Sequence, residues 1–229
     1  MNYFLGMIMV GMMTGGTLLG IQTRPERIVF FGDSITELGA KPGGYINLIR
    51  DELRKEGNNA EIIGAGISGN KVPDLLARVD HDVLSHKPTT VFIYIGINDV
   101  WHYFLSIGKG TPIDEFDRGL RQLTSQILRS GSKVILCTPS VIGEKKHPGN
   151  PHDDMLDEYA DVTRRIAKET NVPLCDLRKA FIAYENTHNA ENAPKGILTR
   201  DGVHLTDEGN KLVAAEMLRM ILNTNAKGD

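Results

Sequence analysis

The chain has little that would place its chemistry on a thiol, a metal or a nucleic acid. Of its 229 residues only Cys137 and Cys175 are cysteine. Two cysteines carry no metal signature, and buried free thiols are the simpler expectation, with one disulfide as the alternative. Lys and Arg number 26 against 29 Asp and Glu, a net charge of −3 with no long basic run, which argues against nucleic acid as a partner. His81, Asp82 and His86, and the polar group His147, His152, Asp153 and Asp154, contain no compact ligand motif, so no metal site is expected. Internal repeats, low-complexity segments and interior linkers are absent as well.

Residues 1–22 differ in character from the rest. Residues 3–21 carry no charge and are rich in Met, Gly, Leu and Ile. The stretch resembles the apolar part of a secretory signal, although no Lys or Arg precedes it and no clear small-x-small cleavage site follows. Export to a secreted or periplasmic location is the expectation. A membrane tether through residues 3–21 is the main rival, since the run is about long enough to span; a cytoplasmic protein with an artefactual upstream start is the third reading. Residues 23–229 are expected to form one α/β domain.

What is present is alternation. Apolar, strand-like runs at residues 27–31 (RIVFF), 60–64, 90–95 (TVFIYI), 133–138 and 172–176 are separated by helical patterns. The helices are expected over 44–56, 72–84, 111–129, 154–169, 178–186 and 206–222, the last capped by Thr206 and the third opened by Thr111-Pro112. Residues 98–111 and 140–152 read as loops. Strands alternating with helices predict a parallel sheet covered on both faces. Right-handed crossovers make this a three-layer αβα sandwich with strand order 2-1-3-4-5. In that order strands 1 and 3 are neighbours, and ligands bind at their carboxyl ends.

Four motifs fall at that edge or just before the final helix. Gly32-Asp33-Ser34-Ile35 follows strand 1 and offers Ser34 as a hydroxyl nucleophile; on its own it reads better as a helix cap. Gly66-Ile67-Ser68-Gly69 offers the Gly69 backbone N–H to an oxyanion. With Gly64 it also matches G-x-G-x-x-G, which raises a dinucleotide site. The context is poor for that, because this is the second strand-helix unit and no ribose-binding acid ends the next strand. Gly96-Ile97-Asn98-Asp99 ends strand 3, and Asn98 is either an oxyanion donor or part of an Asx turn. Asp201-Gly202-Val203-His204 supplies a base with its orienting acid, where a lone histidine would more often be a loop residue. Together the parts suffice for acyl transfer. Trp101, Tyr103 and Asp33 are expected to contact substrate.

On these residues the chain resembles the SGNH, or GDSL-type, ester hydrolases, over about residues 27–222. Ser34, Gly69, Asn98 and His204 stand in the four named blocks, with Asp201 as the triad acid. The first block reads GDSI, and Gly64 stands where Asn is frequent in the second. Lys41-Pro42-Gly43-Gly44-Tyr45 and the late Asp176 are similar to small esterases of the isoamyl-acetate or platelet-activating-factor acetylhydrolase type. The resemblance implies a flavodoxin-like sandwich and hydrolysis without metal or organic cofactor, with Ser34 N–H, Gly69 N–H and Asn98 as the oxyanion hole. The expected substrate is a small ester, short acyl or acetyl, including acetylated sugars. A lysophospholipase or thioesterase of the same fold is the alternative. From another class, a non-catalytic carbohydrate-binding module would keep the site as a pocket.

Overall fold

The computed structural model describes residues 25–105, 108–146 and 149–225; the signal-like segment at 1–22 lies outside them. Strand β1 (Arg27–Gly32) leads into a short helix α1 (Ser34–Gly39) and then α2 (Tyr45–Lys55). Next come β2 (Glu61–Gly66), α3 (Val72–Asp82), β3 (Thr90–Tyr94), α4 (Ile97–Trp101) and α5 (Ile113–Arg129). The chain continues through β4 (Lys133–Cys137), α6 (Asp153–Thr170), β5 (Leu174–Cys175), α7 (Leu177–His188) and α8 (Asp207–Asn225). The strands form one parallel sheet in the order β2-β1-β3-β4-β5.

The central strands are buried on both sides, which is why they read as unbroken apolar runs. Phe30 stacks on Phe92 and meets Tyr45 of α2 edge-on, whereas the next residue, Phe31, lies under the Arg78 guanidinium of α3. Successive side chains thus feed opposite layers. Helix α2 packs on α8 in one layer, and α3, α5 and α6 pack side by side in the other. The chain winds leftward from β1 and then back across it to β3. The carboxyl ends of those two strands therefore diverge into a crevice.

Several boundaries differ from expectation. Residues 98–111 do not begin as a loop: Gly96, at φ +122°, starts α4, so Asn98 sits on a helical turn. The end of the predicted 72–84 helix tightens into a 3₁₀ turn, Leu84–His86. Thr111 does not cap α5; its N–H donates to the Asp99 carbonyl (2.9 Å), and Pro112 takes the cap position without a side-chain bond. Strand β5 spans two residues, because Pro173 has no N–H to pair and the Asp176 carboxylate already caps α7 through Lys179 N–H (3.1 Å). Cys137 and Cys175 are register partners on β4 and β5, both buried free thiols. Thr206 does cap α8, its Oγ1 accepting from Gly209 N–H (3.1 Å).

Arg178 and Glu185 of α7 are buried ionisable groups. Arg178, 1% exposed, donates to Asp153 and Asp157 (2.7 Å each) and to the Ser140 carbonyl (3.2 Å). Glu185, 5% exposed, has an Oε1 with no partner among the described residues. Burial, with the Glu144 charge nearby, pushes its carboxyl from 4.5 up to about 8. The folded protein thus binds this proton more tightly than the unfolded chain, and the penalty for ionising it grows as pH rises from about 4.5 to 8. Glu185→Gln is expected to leave the melting temperature little changed near pH 4. Near pH 8.5 it should raise it by about 10–20 °C. A calorimetric pH series checks this; a constant offset between variant and parent would refute it.

Candidate active site

The site begins where β1 ends. Asp33 caps α1, its Oδ1 accepting from Ile35 N–H at 2.9 Å, and this places Ser34 at the first helical position. Ser34 is 8% exposed, and its Oγ lies 2.9 Å from His204 Nε2, 170 residues further along the chain. Asp201 reaches back to the same imidazole, Oδ2 standing 2.7 Å from Nδ1. Its other oxygen accepts from the backbone N–H groups of Val203 (3.0 Å) and His204 (2.8 Å). Gly202, at φ +102°, permits this reversal. Partial burial works to raise the Asp201 carboxyl, but the bonds from the His204 ring and from the two backbone N–H groups outweigh it and hold it at about 2. An ionised Asp201 accepts only, so Nδ1 carries the proton and Nε2 presents its lone pair to Ser34.

Three segments meet beside this relay. Ile67 N–H donates to the Gly32 carbonyl (3.3 Å), and Asn98 Nδ2 donates to the Asn70 carbonyl (3.0 Å). Asn98 is 3% exposed, and its amide keeps a second hydrogen. Gly69 has φ +78° and nothing within 4 Å of where a Cβ would stand, so its backbone borders open space. Arg78 ties these segments together. It donates to the carbonyls of Gly32 (2.7 Å) and Ala65 (3.1 Å) and to Asn70 Oδ1 (2.7 Å), while Asp82 (2.7 Å) balances its charge. Ser68, the alternative hydroxyl, has both its N–H (2.7 Å) and its Oγ (2.6 Å) engaged by Glu37. Two of the three glycines in the G-x-G-x-x-G match lie within β2 rather than in a turn ahead of a helix.

A cavity of about 440 Å³ opens beside the relay, lined by Trp101, Ile142, Pro151, His152, Pro194 and Asp201, among others. The Trp101 ring meets His204 edge-on at 6.3 Å. The other two residues expected at the substrate are not in this lining. Asp33 is 2% exposed and serves as a helix cap, burial pushing its carboxyl up to about 7. Tyr103 turns its ring onto Gly110, filling the space where a side chain there would stand.

Sequence reasoning missed Glu144. Fully buried, it accepts from Ile197 and Leu198 N–H (2.8 Å each), from Thr199 N–H, and from Thr199 Oγ1 (2.6 Å). This clamp fixes the segment that leads into Asp201. Arg78 was visible only as a helix residue. Among the described residues no group of three or more His, Cys, Asp or Glu is placed to hold a metal ion. Asp153, one of the acids considered, is engaged by Arg178 and Asn150.

A hydroxyl, an imidazole and a carboxylate in line at the carboxyl edge of a 2-1-3-4-5 sheet form the arrangement of a hydrolase of the SGNH architecture. The profile of the GDSL-like lipase/acylhydrolase family matches residues 30–212, and the chain belongs to that family. It is a carboxylic ester hydrolase. An acetylxylan esterase of Geobacillus stearothermophilus is 33% identical, over 86% of this chain and 94% of its own. A crystal structure of the acetyl xylan esterase AlAXEase superposes with a TM-score of 0.83 at 44% identity, covering 85% of this chain and 99% of that one. A lipoprotein of Bacillus subtilis (strain 168) is 29% identical, over 82% of this chain and 86% of its own.

Proposed function

We propose that the protein removes acetyl groups from short sugar chains, with Ser34 as nucleophile, His204 as base and Asp201 as the residue that orients it. The observation that carries this reading is the continuous relay from Asp201 through His204 to Ser34, at 2.7 and 2.9 Å. Ser34 Oγ attacks the ester carbonyl carbon as its proton passes to His204 Nε2. The carbonyl oxygen becomes an oxyanion, which the N–H groups of Ser34 and Gly69 and the Asn98 amide stabilise. His204 returns the proton to the departing sugar hydroxyl. Water, deprotonated by the same imidazole, then attacks the acetyl-Ser34 ester; acetate leaves and Ser34 regains its hydrogen.

The sugar-ester part draws on the acetylxylan esterase relatives and on the cavity's apolar walls, where Trp101 offers a face for stacking. Export fits the apolar residues 3–21 and the lipoprotein name of one relative; among the described residues no helix is long and apolar enough to cross a membrane. The test is acetate release from acetylated xylo-oligosaccharides by wild type and Trp101→Ala. Wild type is expected to release acetate. The variant is expected to raise KM for the oligosaccharide by roughly 5- to 20-fold, the scale of one lost aromatic stacking contact. A nitrophenyl acetate, too small to span the cavity, should show a much smaller change. Equal effects on both esters would remove Trp101 from the sugar site.

A further inference from the structure

The segment that carries the relay is a wall of two cavities. Gly202 and Val203 line the one beside Trp101, together with Lys145 and Lys195. Arg200, Leu205 and Thr206 line a second, also of about 440 Å³, together with Lys41. All four cations are exposed, and none forms an ion pair among the described residues. The nearby carboxylates are hydrogen-bonded elsewhere: Asp201 on His204, Glu37 on Ser68 with its charge also felt by Lys41, and Glu144 inside its backbone clamp. Asp207 is the only carboxylate besides Asp201 that the described lining of either cavity contains.

The cations also stand on a fixed frame. Gly143 N–H donates to the Gly202 carbonyl (2.7 Å), Glu144 N–H to the Pro194 carbonyl (3.0 Å), and Lys146 N–H to Asn192 Oδ1 (2.7 Å). These bonds hold the backbone on both sides of Lys145 against the segments bearing Lys195 and His204. Arg200 N–H is likewise bonded to the His204 carbonyl (2.7 Å). A chain with a net charge of −3 thus presents four unpaired positive charges around its candidate relay. Like-signed charges lining a low-dielectric cleft attract ligands of the opposite sign.

We propose that the preferred substrate is an acetylated oligosaccharide that also carries carboxylates, with uronic acid units seated against Lys145 and Lys195 on one side of the acetyl ester and Lys41 and Arg200 on the other. The proposal rests on the sugar-acetyl reading above. The carboxylates can come from side groups on a xylose chain or from a uronate backbone, and the experiment separates the two. Initial rates of acetate release are measured on three substrates of matched length. These are neutral acetylated xylo-oligosaccharide, acetylated xylo-oligosaccharide bearing glucuronic acid, and acetylated galacturonan oligosaccharide. Wild type and the double variant Lys145→Gln/Lys195→Gln are compared at low salt and in 1 M NaCl.

At least one anionic substrate is expected to exceed the neutral one in kcat/KM by roughly tenfold, as when two exposed ion pairs each add a factor of about 2–5. Whichever exceeds it identifies the source. The ratio is expected to fall to roughly threefold in the double variant, which keeps Lys41 and Arg200, and toward one in 1 M salt, where screening acts over about 3 Å. Equal rates on all three substrates, or a ratio that survives both the substitutions and the salt, overturn the proposal and leave the sugar-ester reading standing. Failure to release acetate from any sugar, with nitrophenyl acetate still cleaved, overturns both.

Discussion

Ser34→Ala is expected to yield a folded protein whose kcat on nitrophenyl acetate is lower by roughly 10⁵–10⁶, the loss found when a serine hydrolase loses its nucleophile. The fold should survive because, among the described residues, the Ser34 hydroxyl bonds to His204 alone, and the α1 cap belongs to Asp33. A fluorophosphonate should label wild type once and the variant not at all, and the melting temperature should stay within a few degrees. Substantial turnover in the variant would move the nucleophile elsewhere. Ser68 would be the first place to look, and the Glu37 carboxylate on its hydroxyl would then be the base.

Asp201→Asn is expected to lower kcat by about 10³–10⁴ with KM little changed, since the altered group acts on the tautomer of His204 rather than on the substrate. The amide can still accept from the Val203 and His204 N–H groups, so the turn persists. Toward the ring, however, it can offer a donor, which favours a proton on Nε2 and leaves no lone pair for Ser34. Because the Asp201 carboxyl sits at about 2 in the folded protein, wild-type activity should not decline through protonation of this group until the pH approaches that value. A side chain half exposed to solvent also suggests that the loss falls below the upper limit set by fully buried triads. A pH–rate series on both proteins checks the assignment; a variant with wild-type kcat would leave Asp201 as a turn residue only.

Ser34, Asn98, Asp201 and His204 stood out in the sequence as candidates because acyl transfer calls for such side chains and each follows a recognisable local element. The strand order was legible for a related reason: burial on both faces leaves RIVFF and TVFIYI with no polar interruption. Length at an edge was not legible. Strand β5 is cut to two residues by Pro173 and Asp176, whose effects depend on which neighbours stand alongside. Trp101 and Tyr103 look equivalent two residues apart, and only the turn at the end of α4 sends one toward His204 and the other toward Gly110. Glu144 gave no local signal, because its partners are backbone N–H groups 53–55 positions away. Arg78 was visible only as a residue of the expected 72–84 helix, because the carbonyls it holds lie 13 and 46 positions away.

The long separation between Ser34 and His204 has a consequence for how the enzyme is made. A ribosome that has delivered residues 1–200 has supplied every strand among the described residues, yet the nascent chain lacks the imidazole that faces Ser34 and the helix that covers α2. With His204 as the proposed base, hydrolysis is expected to begin only once the codons beyond residue 200 have been read. Products that stop before His204 are expected to be catalytically silent, so ester-cleaving activity would report translation past that residue and closure of the sheet's outer layer.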